Sequence, residues 1–191
     1  ILLSCVVGTI IGILAAYQGR VVESLFMRAM DIILAFPYFL LAILIVAVAG
    51  PSLRNAAIAI GITYIPQYAR VVRGAALEIV GKEYIEAARA SGVHGLLIAI
   101  RHVLPNIVAP ITVITTVGLA LAIVGVSSLS FLGLGAQPPS PEWGAMLASG
   151  REYVISAPHI SIFPGLVILV TVLALNLVGD GFRDTFDPTM R

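Results

Sequence analysis

Residues Glu83–Asn106 read EYIEAARASGVHGLLIAIRHVLPN, a polar, charged island in a chain that is otherwise almost continuously apolar. The spacing predicts two short helices hinged at a glycine and closed by a proline. In the first, Tyr84, Ala87, Ala88 and Ser91 fall at i, i+3, i+4 and i+7 and share one face. That face carries one aromatic knob and three small residues, so a partner groove could approach its backbone closely. Glu83 and Glu86 occupy the first turn, where the helix dipole favours anions. Arg89 is expected to pair with Glu86, an interaction worth about 0.2–0.5 kcal/mol on an exposed helix. Gly92 stands where a left-handed C-cap is expected. The second helix carries Leu96, Leu97, Ile100 and Leu104 on one side and suits a position along a membrane interface. Pro105 is expected to stop it and to open the next helix.

Around the island, 59% of the 191 residues are hydrophobic, 11% are charged, and mean hydropathy is +1.05. Soluble domains are roughly 25% charged, so the class is a polytopic helical membrane protein. A net charge of +1 offers nothing to nucleic acid. The single cysteine, Cys5, excludes an internal disulfide and reads as a packing residue. The chain opens at Ile1, already inside an apolar run with no basic segment before it. It reads as a piece that has lost its N-terminus rather than as a signal peptide.

Spanning helices need about 20 apolar residues. Runs free of acidic and basic residues predict five spans, at about 1–18, 32–50, 54–78, 107–126 and 160–178. The third is lengthened by Arg70 and Arg73 snorkelling at its end, and Pro66 should kink it. The segments between are a polar loop at 83–106 and an outer loop at 127–159. One side of this arrangement collects nine basic residues: Arg20, Arg28, Arg70, Arg73, Lys82, Arg89, Arg101, Arg183 and Arg191. The other collects Arg54 and Arg151. The side with nine is cytoplasmic, which places the island and the C-terminus in the cytoplasm.

The spelling of the island is more specific than its pattern. EAARASG followed by RHVLPN resembles the EAA loop of ABC-importer permeases: Glu86, Ala87, Ala88, Gly92, His102, Leu104, Pro105 and Asn106 match at the family's spacing. His94 stands where a small or acidic residue is usual. AYQGR, MRAMDIILAFPYFLLAI, SSLSFLGLGAQPPSPEWGAML and NLVGDGFRDTFDPTMR resemble the second permease type of dipeptide, oligopeptide and nickel importers, with Gly19-Arg20 in place of Gly-Gly. The resemblance implies an all-α type I importer permease fold with five spans present and the first of six missing. It implies a coupling helix whose ATPase-facing residues are Tyr84, Glu86, Ala87, Ala88, Ser91, Gly92, His102, Pro105 and Asn106. It further implies two ATP-binding cassette partners holding ATP and Mg²⁺, a second and different permease, and a substrate-binding protein outside. Peptides, glutathione-like molecules and nickel chelates are the implied cargoes.

No P-loop is possible, because the one lysine, Lys82, is followed by Glu83 rather than by a hydroxyl residue. An intramembrane enzyme is disfavoured: His94 and His102 lie on one side and His159 on the other, and no H-E-x-x-H occurs. An ion-driven carrier is disfavoured by the absence of mid-membrane charge and of an internal repeat. No catalytic residue, metal site or cofactor is expected on the chain. Asp180, between Gly179 and Gly181, is expected to terminate a helix at the interface, with contact to the island or the ATPase as the alternative. The in-span polar residues Thr63, Tyr64, Gln67, Thr112, Thr115, Thr116 and Asn176 are candidates for a substrate path, with helix–helix hydrogen bonding as the competing use. Gly118 and Gly125 are expected to let helices pack closely. Outside, Ser127–Gly135 is expected as a short surface helix, the PPSP stretch as extended or turned chain, and Trp143 as an interfacial anchor.

Overall fold

The computed structural model describes residues 1–186, and all regular elements among them are helical. In order they are α1 (Leu2–Tyr17), α2 (Arg20–Leu34), α3 (Tyr38–Ala49), α4 (Leu53–Val80), α5 (Glu83–Ala90), α6 (Gly95–Ile98), α7 (Val108–Phe131), α8 (Trp143–Gly150) and α9 (His159–Phe186). A π turn at Ala99–Val103 and a 3-10 turn at Leu104–Ile107 join α6 to α7.

The 28-residue α4 is the mast of the fold. Its N-terminus is capped by Ser52, whose Oγ accepts from the Asn55 backbone N–H at 3.1 Å. The Asn55 side-chain amide donates to the carbonyls of Ala49 and Gly50, both at 2.9 Å, which closes the turn from α3. Pro66 sits inside α4, fully buried, and the helix continues through it. Against α4 lies α1, whose buried residues Ser4, Gly8, Gly12 and Ala15 form a stripe of small side chains. Ser4 Oγ donates to the Gly61 carbonyl at 2.6 Å. A Cβ on Gly12 would sit 2.7 Å from the Ala69 carbonyl oxygen, so the two backbones touch. Near the other end of the mast, Ala42, Val46, Ala56, Ala59, Ile60 and Leu129 join α3, α4 and α7 in one apolar cluster. Gly125 gives the close α7–α4 contact its spacing predicts, since a Cβ there would come within 2.8 Å of Ile60 Cδ1. Gly118 is also buried, with Tyr68 Oη and Ile1 Cδ1 at 3.6 and 3.4 Å from a Cβ built on it.

Several boundaries differ from the sequence-based expectation. The segment 32–50 is not one helix: α2 and α3 meet at 86° across Ala35–Pro37. Pro37 biases Phe36 out of the helical region, and the chain turns there. α3 keeps only 12 residues, about 18 Å at 1.5 Å per residue. The fourth apolar run stays helical to Phe131, so Ser127–Phe131 belong to α7 instead of a separate surface helix. Gly133, at φ +77°, follows its end. The fifth helix runs beyond 160–178 to include Asp180, which lies within the helix and does not end it. Inside 127–159 lies α8, which packs against both α7 and α9. Its N-cap is Glu142, whose carboxylate accepts from the Ala145 N–H at 2.9 Å and from Ser127 Oγ at 2.8 Å. Arg191 and the end of the last motif, Asp187–Arg191, lie outside the described residues.

By length and apolarity, Gly95–Phe131 and His159–Thr185 can each cross a bilayer, and the bent α2–α3 pair makes a third candidate. α1 is apolar but 16 residues long. α4 is long enough but carries Arg54, Arg70, Arg73 and Glu78. Two of these charges are paired: Arg70 with Asp31 at 2.6 Å, and Arg73 with Glu23, whose Oε1 also accepts from Arg73 Nε at 2.9 Å. Arg70 and Arg73 thus reach across to α2 and do not simply snorkel outward.

Candidate functional site

The island forms an elbow standing on the end of α4. Its first limb is α5, with Glu83 and Glu86 in the first turn and Arg89 in the last. Gly92 terminates it at φ +79°. The Val93 N–H donates to the Ala88 carbonyl at 3.1 Å and the Gly92 N–H to the Arg89 carbonyl at 2.9 Å, the paired bonds of a Schellman ending. The glycine hinge expected from sequence is therefore present, and its left-handed backbone explains why a glycine stands there. The second limb opens at His94, whose Nδ1 accepts from the Leu96 N–H at 3.3 Å.

Pro105 does not separate the second limb from the next span. Gly95–Phe131 is one 37-residue helical rod. The π and 3-10 turns absorb the proline, whose missing N–H and ring would otherwise break a regular ladder. Asn106 Nδ2 donates to the His102 carbonyl at 2.6 Å within that irregular stretch.

Burial separates the two faces of the elbow. Ile85, Ile98, Val103 and Ile107 are completely buried and join Val72, Ala76 and Ile79 of α4 in a second apolar cluster. Ala88 is half-buried against that cluster, so it points inward and leaves the outward face predicted for it. Tyr84, Glu86, Ala87, Ser91 and Gly92 are exposed. Ser91 Oγ is spent on the Ala87 carbonyl at 2.9 Å. The Tyr84 and His102 rings meet across the two limbs at 6.2 Å between centroids, inclined by 59°. Pro105 and Asn106 lie exposed on the far limb. The expected Glu86–Arg89 pair is replaced by another contact: the Arg89 guanidinium lies 5.0 Å from the centroid of the Tyr17 ring at the end of α1. Glu86 is left exposed with no partner among the described residues.

The inner anchors Ile85, Val93 and Ile98, and the Tyr17 contact, escaped sequence reasoning. Ile85 and Ala88 lie at i and i+3, a signal for an inward face, but on an eight-residue helix it competes with the small-residue pattern one position over.

The candidate path residues lie on α4, α7 and α9. Thr63 Oγ1 donates to the Ile60 carbonyl at 2.8 Å, Thr112 Oγ1 to Val108 at 2.9 Å, Thr115 Oγ1 to Ile111 at 2.7 Å and Thr116 Oγ1 to Val113 at 2.9 Å. Each threonine is satisfied by its own helix. Tyr68 Oη adds a bond to Thr115 Oγ1 at 3.0 Å, tying α4 to α7. Thr116 packs against Gly179 of α9, whose built Cβ would lie 2.6 Å from its Oγ1. Gln67 and Asn176 are exposed, their amides without a partner among the described residues, and the Tyr64 ring lies 6.5 Å from that of Tyr38, tilted by 58°. A cleft of about 500 Å³ is lined instead by Ile60, Ile123, Val126, Ser127, Glu142 and Trp143 among others, with none of the predicted path residues.

Over residues 8–191 the sequence matches the family described as "Binding-protein-dependent transport system inner membrane component". It is 48% identical over 184 residues to the dipeptide transport system permease protein DppC of Alkalihalophilus pseudofirmus, covering 96% of this chain and 60% of that protein. It is 46% identical over 191 residues to the glutathione transport system permease protein GsiD of Pectobacterium atrosepticum, covering 100% and 64% respectively. The chain thus spans about three fifths of the length of these relatives. The backbone is similar to inward-facing structures of the MetNI methionine ABC transporter, with a TM-score of 0.73 at 19% identity over 96% of this chain and 88% of the other. That likeness shows the fold. The resemblance read in the EAA-type loop and the match along the whole chain agree: the chain belongs to the inner-membrane components of binding-protein-dependent transport systems.

Proposed function

We propose that the chain is a transport subunit and not an enzyme: a permease of an ATP-driven importer that takes up peptides or related small cargo such as nickel chelates. The relatives named for dipeptide and glutathione transport support the peptide class. The α5 face is the docking surface for an ATP-binding cassette subunit, which holds ATP and Mg²⁺. Two such subunits, a second and different permease, and an external substrate-binding protein complete the assembly. The elbow faces the cytoplasm. ATP binding closes the cassettes and moves the elbows together, and the spans swing between inward-open and outward-open states whose populations the nucleotide shifts. Gln67 and Asn176 are the path candidates with side chains free to meet cargo.

One observation carries this reading. A short helix whose exposed Glu86 has no partner among the described residues is seated by a fully buried apolar cluster on the end of the mast. A solvated loop has no need of so rigid a seat.

The test is a reconstituted complex of permeases, cassettes and binding protein. Glu86→Lys, and Gly92→Val, which forces a β-branched residue into a left-handed backbone at a cost of about 1–2 kcal/mol, should leave the protein in the membrane. Stimulation of ATP hydrolysis by loaded binding protein should be lost in both. An unchanged response in both variants would remove the coupling role.

A further inference from the structure

We propose that Tyr17 is a positioning residue that seats the elbow, fixing the angle between its two limbs and joining it to α1. This deepens the coupling role and rests on that reading for its functional readout.

Tyr17 is the last residue of α1. α1 is fastened along α4 by the backbone contacts at Gly8 and Gly12. The Tyr17 ring therefore projects from a rigid pair of helices. It touches both limbs, one on each side of the Gly92 turn. On the first limb, the Arg89 guanidinium lies 5.0 Å from its centroid. On the second, a Cβ built on Gly95 would lie 3.2 Å from its Cε1. Ala88, Val93 and Tyr17 also pack on the same buried cluster.

The turn between the limbs needs such a support. Gly92 has φ +79° and nothing within 4 Å of its built Cβ, so no side chain there resists opening. An aromatic plate behind both limbs supplies that resistance. The contact also occupies Arg89, which then does not neutralise Glu86 three residues earlier, and the carboxylate stays free for a partner. Tyr17 Oη is buried with no hydrogen-bond partner among the described residues. The ring face is thus the working part, and phenylalanine should replace it.

Two measurements on the reconstituted complex test this. Amide hydrogen exchange reports the seat whether or not the cassettes are coupled. Tyr17→Leu should speed exchange in residues 83–98 about tenfold, because the cation–ring contact and the plate are both lost. Exchange in α1 and α4 should stay as in the parent. Tyr17→Phe should match the parent, and Arg89→Lys should retain most of the protection because the cation remains. The ratio of stimulated to basal ATP hydrolysis should fall in Tyr17→Leu and be restored in Tyr17→Phe. Unchanged exchange in Tyr17→Leu overturns the proposal. So does loosening that spreads through α1 and α4, which marks Tyr17 as ordinary packing, or a Tyr17→Phe variant that behaves like Tyr17→Leu. If Glu86→Lys and Gly92→Val both leave stimulation intact while Tyr17→Leu loosens only the elbow, the coupling reading fails and the seat stands.

Discussion

Gly12 shows what one missing side chain does. In a membrane helix pair, apolar contact with a neighbour gains little over apolar contact with lipid, so close backbone approach and dispersion hold the pair together. A Cβ at Gly12 would lie 2.7 Å from the Ala69 carbonyl oxygen and 2.8 Å from Val72 Cβ, both on α4, and neither is the far end of a flexible side chain that could swing aside. Gly12→Val should therefore push α1 off α4 and lower stability by about 1–3 kcal/mol. Gly181→Ala is the control, since nothing lies within 4 Å of its built Cβ, and it should be neutral or slightly stabilising. Thermal unfolding of the detergent-solubilised protein, followed by the exposure of buried Tyr68, compares the two. Equal melting of both variants would contradict the packing. Ser4, Gly8 and Gly12 recur at i+4 spacing, a small-residue signal that escaped the reading of the sequence. Inside a uniformly apolar segment hydropathy is blind to faces, and only side-chain size marks the buried one. The C-cap at Gly92 was legible because it depends on a local backbone need. The Arg89–Tyr17 contact was not, because it joins residues 72 positions apart in sequence.

α2 carries the same lesson at the scale of an element. Counting apolar residues reads straight through 32–50, because hydropathy records composition and not direction. Pro37 was the available sign of the break. α2 then turns Glu23 and Asp31 toward α4 and leaves Val21, Leu25 and Ile32 more than 60% exposed. A cleft of about 540 Å³ separates the two helices, lined by Arg20, Glu23, Met27, Asp31, Arg70 and Arg73. Long ionic side chains, not packed aliphatic ones, bridge it. The Asp31–Arg70 pair is more than half exposed on both sides, and the Glu23–Arg73 pair is about one third exposed or less. The first should contribute about 0–1 kcal/mol, and the second more because it is better shielded and doubly hydrogen-bonded. Glu23→Arg should thus destabilise the protein more than Asp31→Arg. Adding Arg73→Glu to Glu23→Arg should recover most of the loss. A double-mutant cycle on the midpoint of thermal unfolding measures this; a Glu23–Arg73 coupling no larger than that of Asp31–Arg70 would contradict the burial argument.

For the whole molecule, length and charge together place the elbow relative to the membrane. The 28 residues of α4 measure about 42 Å, against roughly 30 Å of bilayer hydrocarbon. If Leu53 marks the outer edge, the helix leaves the hydrocarbon near Arg73 and carries α5 clear of it. On the proposed reading, the bias of basic residues puts that end in the cytoplasm. The pairing of Arg70 and Arg73 with carboxylates does not weaken the assignment, because acidic residues contribute little to the rule. Ser91 and Ser140 are both exposed, and between them stands the single rod Gly95–Phe131. The two serines should therefore lie on opposite sides of the membrane. In a Cys5→Ser background, Ser91→Cys should react with a membrane-impermeant maleimide only in inverted vesicles, and Ser140→Cys only in right-side-out vesicles. Reaction of both from the same side would mean that the rod does not cross. Reaction of Ser91→Cys from the outside, with Ser140→Cys inside, would keep the crossing but turn the elbow away from any cytoplasmic ATPase, and the coupling role would fall with it.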